Sequence, residues 1–224
     1  MISADRLRQI ATWSHDLSPD EVEQARRGVS EKHVPKDSYV LHHGDQVDCW
    51  HGVISGILRL GLVSRTGKVA TLAGLRAGAW FGEGTVIKGE ARRYDLVALR
   101  DTRLAIMNKT TFFWLFEHSA AFNRYLVRQF NERLGQFIAL AEYDRILDST
   151  ARLARNLAWL CNPQLYPDGG STLEITQEEI GTLAGMSRQI ANQGLAKLEA
   201  EGLIKVERGV IQILKLEQLG RYGD

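Results

Sequence analysis

Long apolar runs are missing from these 224 residues. No stretch approaches the eighteen or so residues of a membrane span, and Met1 to Leu17 carries charges where a secretory leader would need its apolar segment. The expectation is a cytoplasmic chain with no membrane partner. Cysteine is scarce: Cys49 and Cys161 lie far apart and form no C-x-x-C pair, which argues against a zinc site or a four-thiolate iron-sulfur cluster. An excess of either charge is also lacking, since 28 Lys and Arg against 27 Asp and Glu leave a net of +1. A nucleic-acid partner therefore has no global electrostatic basis and must be argued locally. What is present, 44% hydrophobic and 25% charged residues, is the make-up of a globular protein able to bury a core.

Glycine is unevenly spread. From Val29 to Ile106 short apolar runs such as "GVISGILRLGLV" and "YDLVALRDTRLAIM" are broken by Gly and Asp about every ten residues, the pattern of an all-β sandwich or barrel. Arg65-Thr66-Gly67-Lys68 reads as a hairpin turn between two strands. Ahead of them, Ser18, Pro19, Glu21 and Gly28 carry the start and stop signals of a short helix.

Beyond Met107 glycine nearly vanishes. Phe122, Leu126, Phe130, Leu134, Phe137 and Ala141 recur at steps of three and four, so a helix of roughly 40 Å is expected with these residues along one stripe. Two readings are open: a core helix that spans two domains, and a helix that packs against its own copy in a dimer.

The last third carries the most specific pattern. Leu153, Leu157 and Leu160 mark a helix, "NPQLYPDGGST" reads as a loop, and Thr176 with Glu179 forms a capping box that starts a helix ended by Gly185. Ser187 caps a second helix that runs to Gly202. The intervening turn has helix-turn-helix spacing, and "LIKVERGVIQIL" supplies a small hairpin for a wing. Ile180, Leu183 and Ala184 with Ile190, Leu195 and Leu198 are expected to lock the two helices together. Arg188, Gln189, Asn192 and Gln193 fall on the other face, near the start of the second helix. Arg pairs bidentately with guanine, and Gln or Asn with adenine, while Ser187 and the free N–H groups suit a phosphate. The competing reading is a ligand-binding module whose helix-turn-helix docks a protein. It is favoured by the eight Lys or Arg against ten Asp or Glu counted from Asp148 to Asp224.

"GD", "FGE", a long helix and "ITQEEIGTLAGMSRQIANQGLAKLEAEGLI" together resemble a Crp/Fnr-family transcription regulator over nearly the whole chain. The resemblance implies an α+β architecture: a β-roll (jelly-roll-like) sensor domain over 1–118, a long dimerisation helix over 119–147, and a winged helix-turn-helix domain over 148–224. It implies a homodimer that reads a palindromic site in double-stranded DNA and meets RNA polymerase. Thr176 would touch phosphate, and Arg188, Gln189 and Gln193 take base-reading places. Family members that bind a cyclic nucleotide place a Gly-Glu pair about ten residues before an Arg followed by Ser or Thr. Gly82, Glu83 and Arg93 fit that interval, but Tyr94 replaces the hydroxyl residue and Asp95 adds a negative charge. Phe137 and Ile138 stand where hydroxyls would meet the purine. A vestigial pocket with a Glu83–Arg93 ion pair is the plainer alternative. A cyclic nucleotide is thus possible but disfavoured as effector, and no metal, haem or iron-sulfur cluster is expected.

Other motifs carry less. His42, His43, Asp45, Asp48 and His51 cluster in sequence without metal-ligand spacing, Ser55 is one place late for a nucleophile elbow, and no stretch pairs a nucleophile with a base, so no enzyme is expected. Trp50, Trp80, Phe81 and Trp114 read as core aromatics.

Overall fold

A computed structural model describes residues 1–46, 48–63, 69–146, 148–167 and 169–223; the expected turn at Arg65 to Lys68 lies outside the described residues. The chain opens with helix α1 (Ala4–Ile10), a 3-10 turn (Thr12–Asp16) and helix α2 (Pro19–Arg27). The Ser18 hydroxyl accepts from the Glu21 N–H at 3.3 Å, and the Glu21 carboxylate accepts from the Ser18 N–H at 2.7 Å, so the capping box forms with Pro19 in the first helical place. Helix α1 is an element the sequence reading lacks. Its cap, Ser3, is followed three residues later by Arg6 rather than Glu or Gln, so no box advertises it.

The β-roll contains strands β1 (Val29–Val34), β2 (Tyr39–Leu41), β3 (Cys49–Ser55), β4 (Ile57–Val63), β5 (Val69–Arg76), β6 (Trp80–Phe81), β7 (Asp95–Ala98) and β8 (Thr102–Asn108), with helix α3 (Glu83–Lys88) between β6 and β7. They form two antiparallel sheets ordered β1-β8-β3-β6 and β2-β7-β4-β5. Val53, Leu58, Leu75, Leu96 and Leu104 fill the space between the sheets. Gly56 makes the corner where the chain passes from one sheet to the other. Its φ is 97°, and a Cβ there would collide with Thr102.

On the outer face of the first sheet, Trp13, Trp50, Trp80, Phe112 and Phe122 pack edge-on and tilted, with Trp50 and Trp80 4.3 Å apart. Trp50, Trp80 and Phe81 are buried as expected, whereas Trp114 is half-exposed and stacks on His118. Helix α4 (Lys109–His118) closes this core and leads into α5 (Ala120–Ile146), whose 27 residues span roughly 40 Å.

The anticipated stripe on α5 divides. Phe122 and Leu126 are buried in their own chain's core, while Phe130, Leu134 and Phe137 join Val127 and Ile138 on an exposed face. Each step of four advances about 40° beyond a full turn, so a series of such steps drifts around the helix rather than holding one face.

The C-terminal part packs α6 (Ser149–Leu160), α7 (Gln177–Leu183), α8 (Arg188–Ala200) and α9 (Leu216–Gly220) against a small sheet ordered β10-β11-β9, from β9 (Thr172–Leu173), β10 (Ile204–Glu207) and β11 (Val210–Ile213). Strand β9 falls in the stretch read as loop, since two paired residues leave no periodic signal. Among the described residues no helix is long and apolar enough to cross a membrane.

Candidate functional site

The helix-turn-helix is built from local chemistry. Thr176 Oγ1 accepts from the Glu179 N–H at 3.2 Å, the Glu179 carboxylate accepts from the Thr176 N–H at 2.7 Å, and Gly185 takes a left-handed φ of 65° that turns the chain. Ser187 Oγ then accepts from the Ile190 N–H at 3.3 Å and opens α8. Ile180, Leu183, Leu195 and Leu198 are buried in the shared core. Ile190 is not: it is 40% exposed, and Ala191 fills the inward place expected of it. Only a small side chain fits where α7 and α8 approach, since a Cβ at Gly181 would stand 3.3 Å from that of Ala191.

Arg188, Gln189 and Gln193 are exposed on the opposite face, as are Thr176 and Ser187 at the two helix starts, while Asn192 is half-buried with its side-chain oxygen unpartnered. Thr176 and Arg188 border one cleft with the β10–β11 hairpin, which Gly209 turns at φ 77°. The cleft, of about 1040 Å³, faces the β-roll: Arg188, Thr176, Glu207 and Arg208 line it opposite Lys36, Asp37 and Arg59.

Several contacts hold the two domains in this arrangement. Arg100 donates from Nε to Glu179 at 2.8 Å, and Thr71 Oγ1 donates to the Thr182 carbonyl at 2.9 Å. Burial works against ionisation of Glu179, but Arg100 and the Thr176 cap hold its carboxyl below the ordinary carboxylate range. Leu183 sits directly over Gly74, where a Cβ would come within 2.6 Å of it.

The corner around Gly82 differs from the expectation at several residues, first of all at the arginine. Arg92, not Arg93, turns inward and is almost fully buried; Arg93 is exposed and pairs with Glu90 at 3.0 Å. The chain bends at Arg93 and Tyr94 before β7 begins, and hydrogen bonds from Gly44 N–H to the Arg92 carbonyl and from Arg92 N–H to the Asp45 carbonyl pin Arg92 on the inner side of that bend. Gly82, at φ 93°, lies against the Arg92 guanidinium, whose Nε and Nη1 have no partner. Burial lowers the pKa of Arg92 and raises that of the half-buried Tyr94 phenol beside it.

Glu83 does not pair with Arg93. One carboxylate oxygen accepts from Trp50 Nε1 at 3.3 Å, and the other lies 3.8 Å from Arg133 Nε of α5. Arg133 also donates to the Trp80 carbonyl at 2.8 Å. The Asp95 carboxylate is turned to the His43 N–H at 2.9 Å. Helix α5 meets this corner through Arg133 and through Phe130, which lies 3.6 Å from where a Cβ of Gly84 would be; Phe137 and Ile138 are exposed one to two turns further on and do not wall it within one chain. Arg92, Arg133 and Trp50 are the residues that sequence reasoning missed. For Arg92 the deciding contacts come from Gly44 and Asp45, remote in sequence, and Trp50 and Arg133 likewise come from remote elements with no local signal.

Two family models match: a cyclic nucleotide-binding domain over residues 31–119 and a Crp-like helix-turn-helix domain over residues 151–222. The cyclic AMP receptor protein of Thermus thermophilus is 27% identical over 199 residues, 89% of this chain and 90% of the relative. The Catabolite Activator Protein structure from Thermus thermophilus aligns with 93% of this chain and 98% of its own at 25% identity and a TM-score of 0.51. FixK2 from Bradyrhizobium japonicum shares the fold, with a TM-score of 0.68 at 16% identity over 86% of this chain and 96% of that one. With both domains matched in order and the helix-turn-helix in place, the chain belongs to the Crp/Fnr family of transcription regulators.

Proposed function

We propose that the chain acts as a homodimer in the cytoplasm, reading a palindromic duplex through the first turns of α8 and meeting RNA polymerase as a binding protein rather than an enzyme. In this reading residues 1–118 sense, 119–147 dimerise and 148–224 bind DNA. The observation that carries it is the exposed Arg188-Gln189 turn with Gln193 one turn on, on a helix whose other face is locked in the core. Arg and Gln at the N-terminal end of a helix that fits the major groove have the geometry for direct readout. The docking-module alternative has the small acidic excess of residues 148–224 in its favour but no apolar docking face, since Ile190 is the one large apolar residue exposed among these positions.

For the effector, the unpartnered Arg92 N–H groups beside Gly82 suit an anion, and Glu83 and Arg93 do not suit a ribose cyclic phosphate. Glu83 is engaged by Trp50 and approached by Arg133, and the residue after the inward Arg92 is Arg93 rather than a Ser or Thr. Cyclic AMP is therefore a weak ligand or none.

The test of the DNA reading is binding to a duplex selected by the wild-type protein. Arg188→Ala costs about 1–3 kcal/mol there and flattens the sequence preference, while Thr176→Ala weakens all duplexes alike. Intact selective binding by Arg188→Ala would remove α8 as the reading element.

A further inference from the structure

We propose that a second cavity, between the β-roll and the DNA-binding domain, is a site for a small monocarboxylate with an apolar body, held by Arg76. The cavity measures about 480 Å³, within the range of small-molecule sites, and shares no lining residue with the Gly82–Arg92 corner. Ile10, Val53, Ile57, Leu160, Leu173 and Ile175 give it apolar walls from both domains.

Arg76, at the end of β5, supplies the charge. It is 8% exposed, Nη1 donates to the Thr172 carbonyl at 3.2 Å, Nη2 donates to the Gly170 carbonyl at 3.3 Å, and the guanidinium lies 5.4 Å over the Tyr166 ring. Its Nε has no partner. The two other arginines that line the cavity are already neutralised, Arg6 by Glu31 at 2.6 Å and Arg100 by Glu179. No carboxylate pairs with Arg76 among the described residues. Carbonyls and a ring face satisfy part of its geometry without balancing its charge, and an uncompensated buried charge is costly. An anion entering the cavity supplies that balance. Glu174 on the same lining repels any anion and a dianion twice as strongly, which favours a single charge placed at Arg76, and the aliphatic walls select an apolar body. A molecule seated there would touch both domains and end at Ile175, next to the cap of α7.

The site stands on geometry alone and not on the DNA reading, so its test reads binding. Calorimetry on the full chain would use octanoate and phenylacetate, each beside its uncharged amide. At least one carboxylate should bind with one site per chain below about 1 mM, with its amide at least tenfold weaker. Arg76→Gln should weaken it at least tenfold. Ser55→Trp, which adds bulk at an exposed lining position that makes no hydrogen bond to the arginine, should do the same and decides the question if Arg76→Gln does not fold. No binding by either acid, equal binding of acid and amide, or binding unchanged in Ser55→Trp would overturn the proposal. Loss in Arg92→Gln with Arg76→Gln unaffected would move the anion to the β-roll corner and overturn it too.

Discussion

Arg92 and Arg93 are adjacent and chemically identical, yet one is buried beside Gly82 and the other points to water beside Glu90. Motif spacing chose Arg93, because an interval counted along the chain does not register which of two neighbouring side chains a bend turns inward. The consequence is testable by calorimetry with cyclic AMP. A hydrogen bond lost to a charged phosphate costs about 1.5–3 kcal/mol, and with Arg93 rather than a hydroxyl residue after Arg92, and Glu83 engaged by Trp50 instead of free for a ribose hydroxyl, a micromolar site is carried toward millimolar. A low-micromolar constant that Arg92→Ala abolishes would contradict this. His51 offers a second residue-scale test. It is buried against Phe81, with Arg92 and Lys32 adding positive field, and burial first of all pushes its pKa down to about 3. The unfolded chain therefore binds more protons than the folded one between about pH 6.5 and 3, so stability is full above that window and is lost as pH falls through it. At pH 5 the expected loss is about 1–2 kcal/mol, and His51→Leu should flatten that part of the stability profile measured by denaturant melts. An unchanged acid slope in the variant would show that other groups set it.

At the scale of elements, local chemistry was the legible part. The boxes at Ser18–Glu21 and Thr176–Glu179, the cap at Ser187 and the left-handed glycines at 185 and 202 lie within a few residues of what they specify, and the helices start and stop there. Helices α1, α3, α4 and α9 and the two-residue strand β9 were not legible, because their stability comes from tertiary packing rather than from a periodic face. Helix α5 lies between these cases. Its existence and length followed from the missing glycines, but the division of its stripe did not, since the β-roll decides which residues it covers. Leu134 illustrates the result: it is 60% exposed in the single chain, so Leu134→Glu should cost the fold no more than about 0.5 kcal/mol. In a dimer packed through Val127, Phe130, Leu134 and Ile138 the same change buries a carboxylate in each of two facing helices. Sedimentation should then find folded monomers at concentrations where the wild type is dimeric. An unchanged dimer would place the interface elsewhere.

For the whole molecule, the order β-roll, long helix, helix-turn-helix was readable from the distribution of glycine and from one specific motif near the C-terminus. How the domains sit on each other was not, because it depends on single residues without local signature. Gly74 leaves room for Leu183, Arg100 finds Glu179, and Tyr166 donates to the Gly74 carbonyl at 2.7 Å from a stretch read as loop. In this arrangement Arg188 lines a cleft with Lys36 and Arg59, so under the proposed reading engagement of a duplex entails separating that surface from the β-roll. The net charge of +1 gives little sequence-independent attraction to DNA, which in that reading leaves affinity to a few placed contacts made twice by a symmetric dimer. The most direct measurement is therefore selection of bound duplexes from a random library by the full chain. Enrichment of a two-fold-symmetric sequence, with half-sites about one helical turn apart, is the predicted result. Enrichment of no sequence, or only of an asymmetric single site, would contradict the account of a dimeric reader of palindromic DNA.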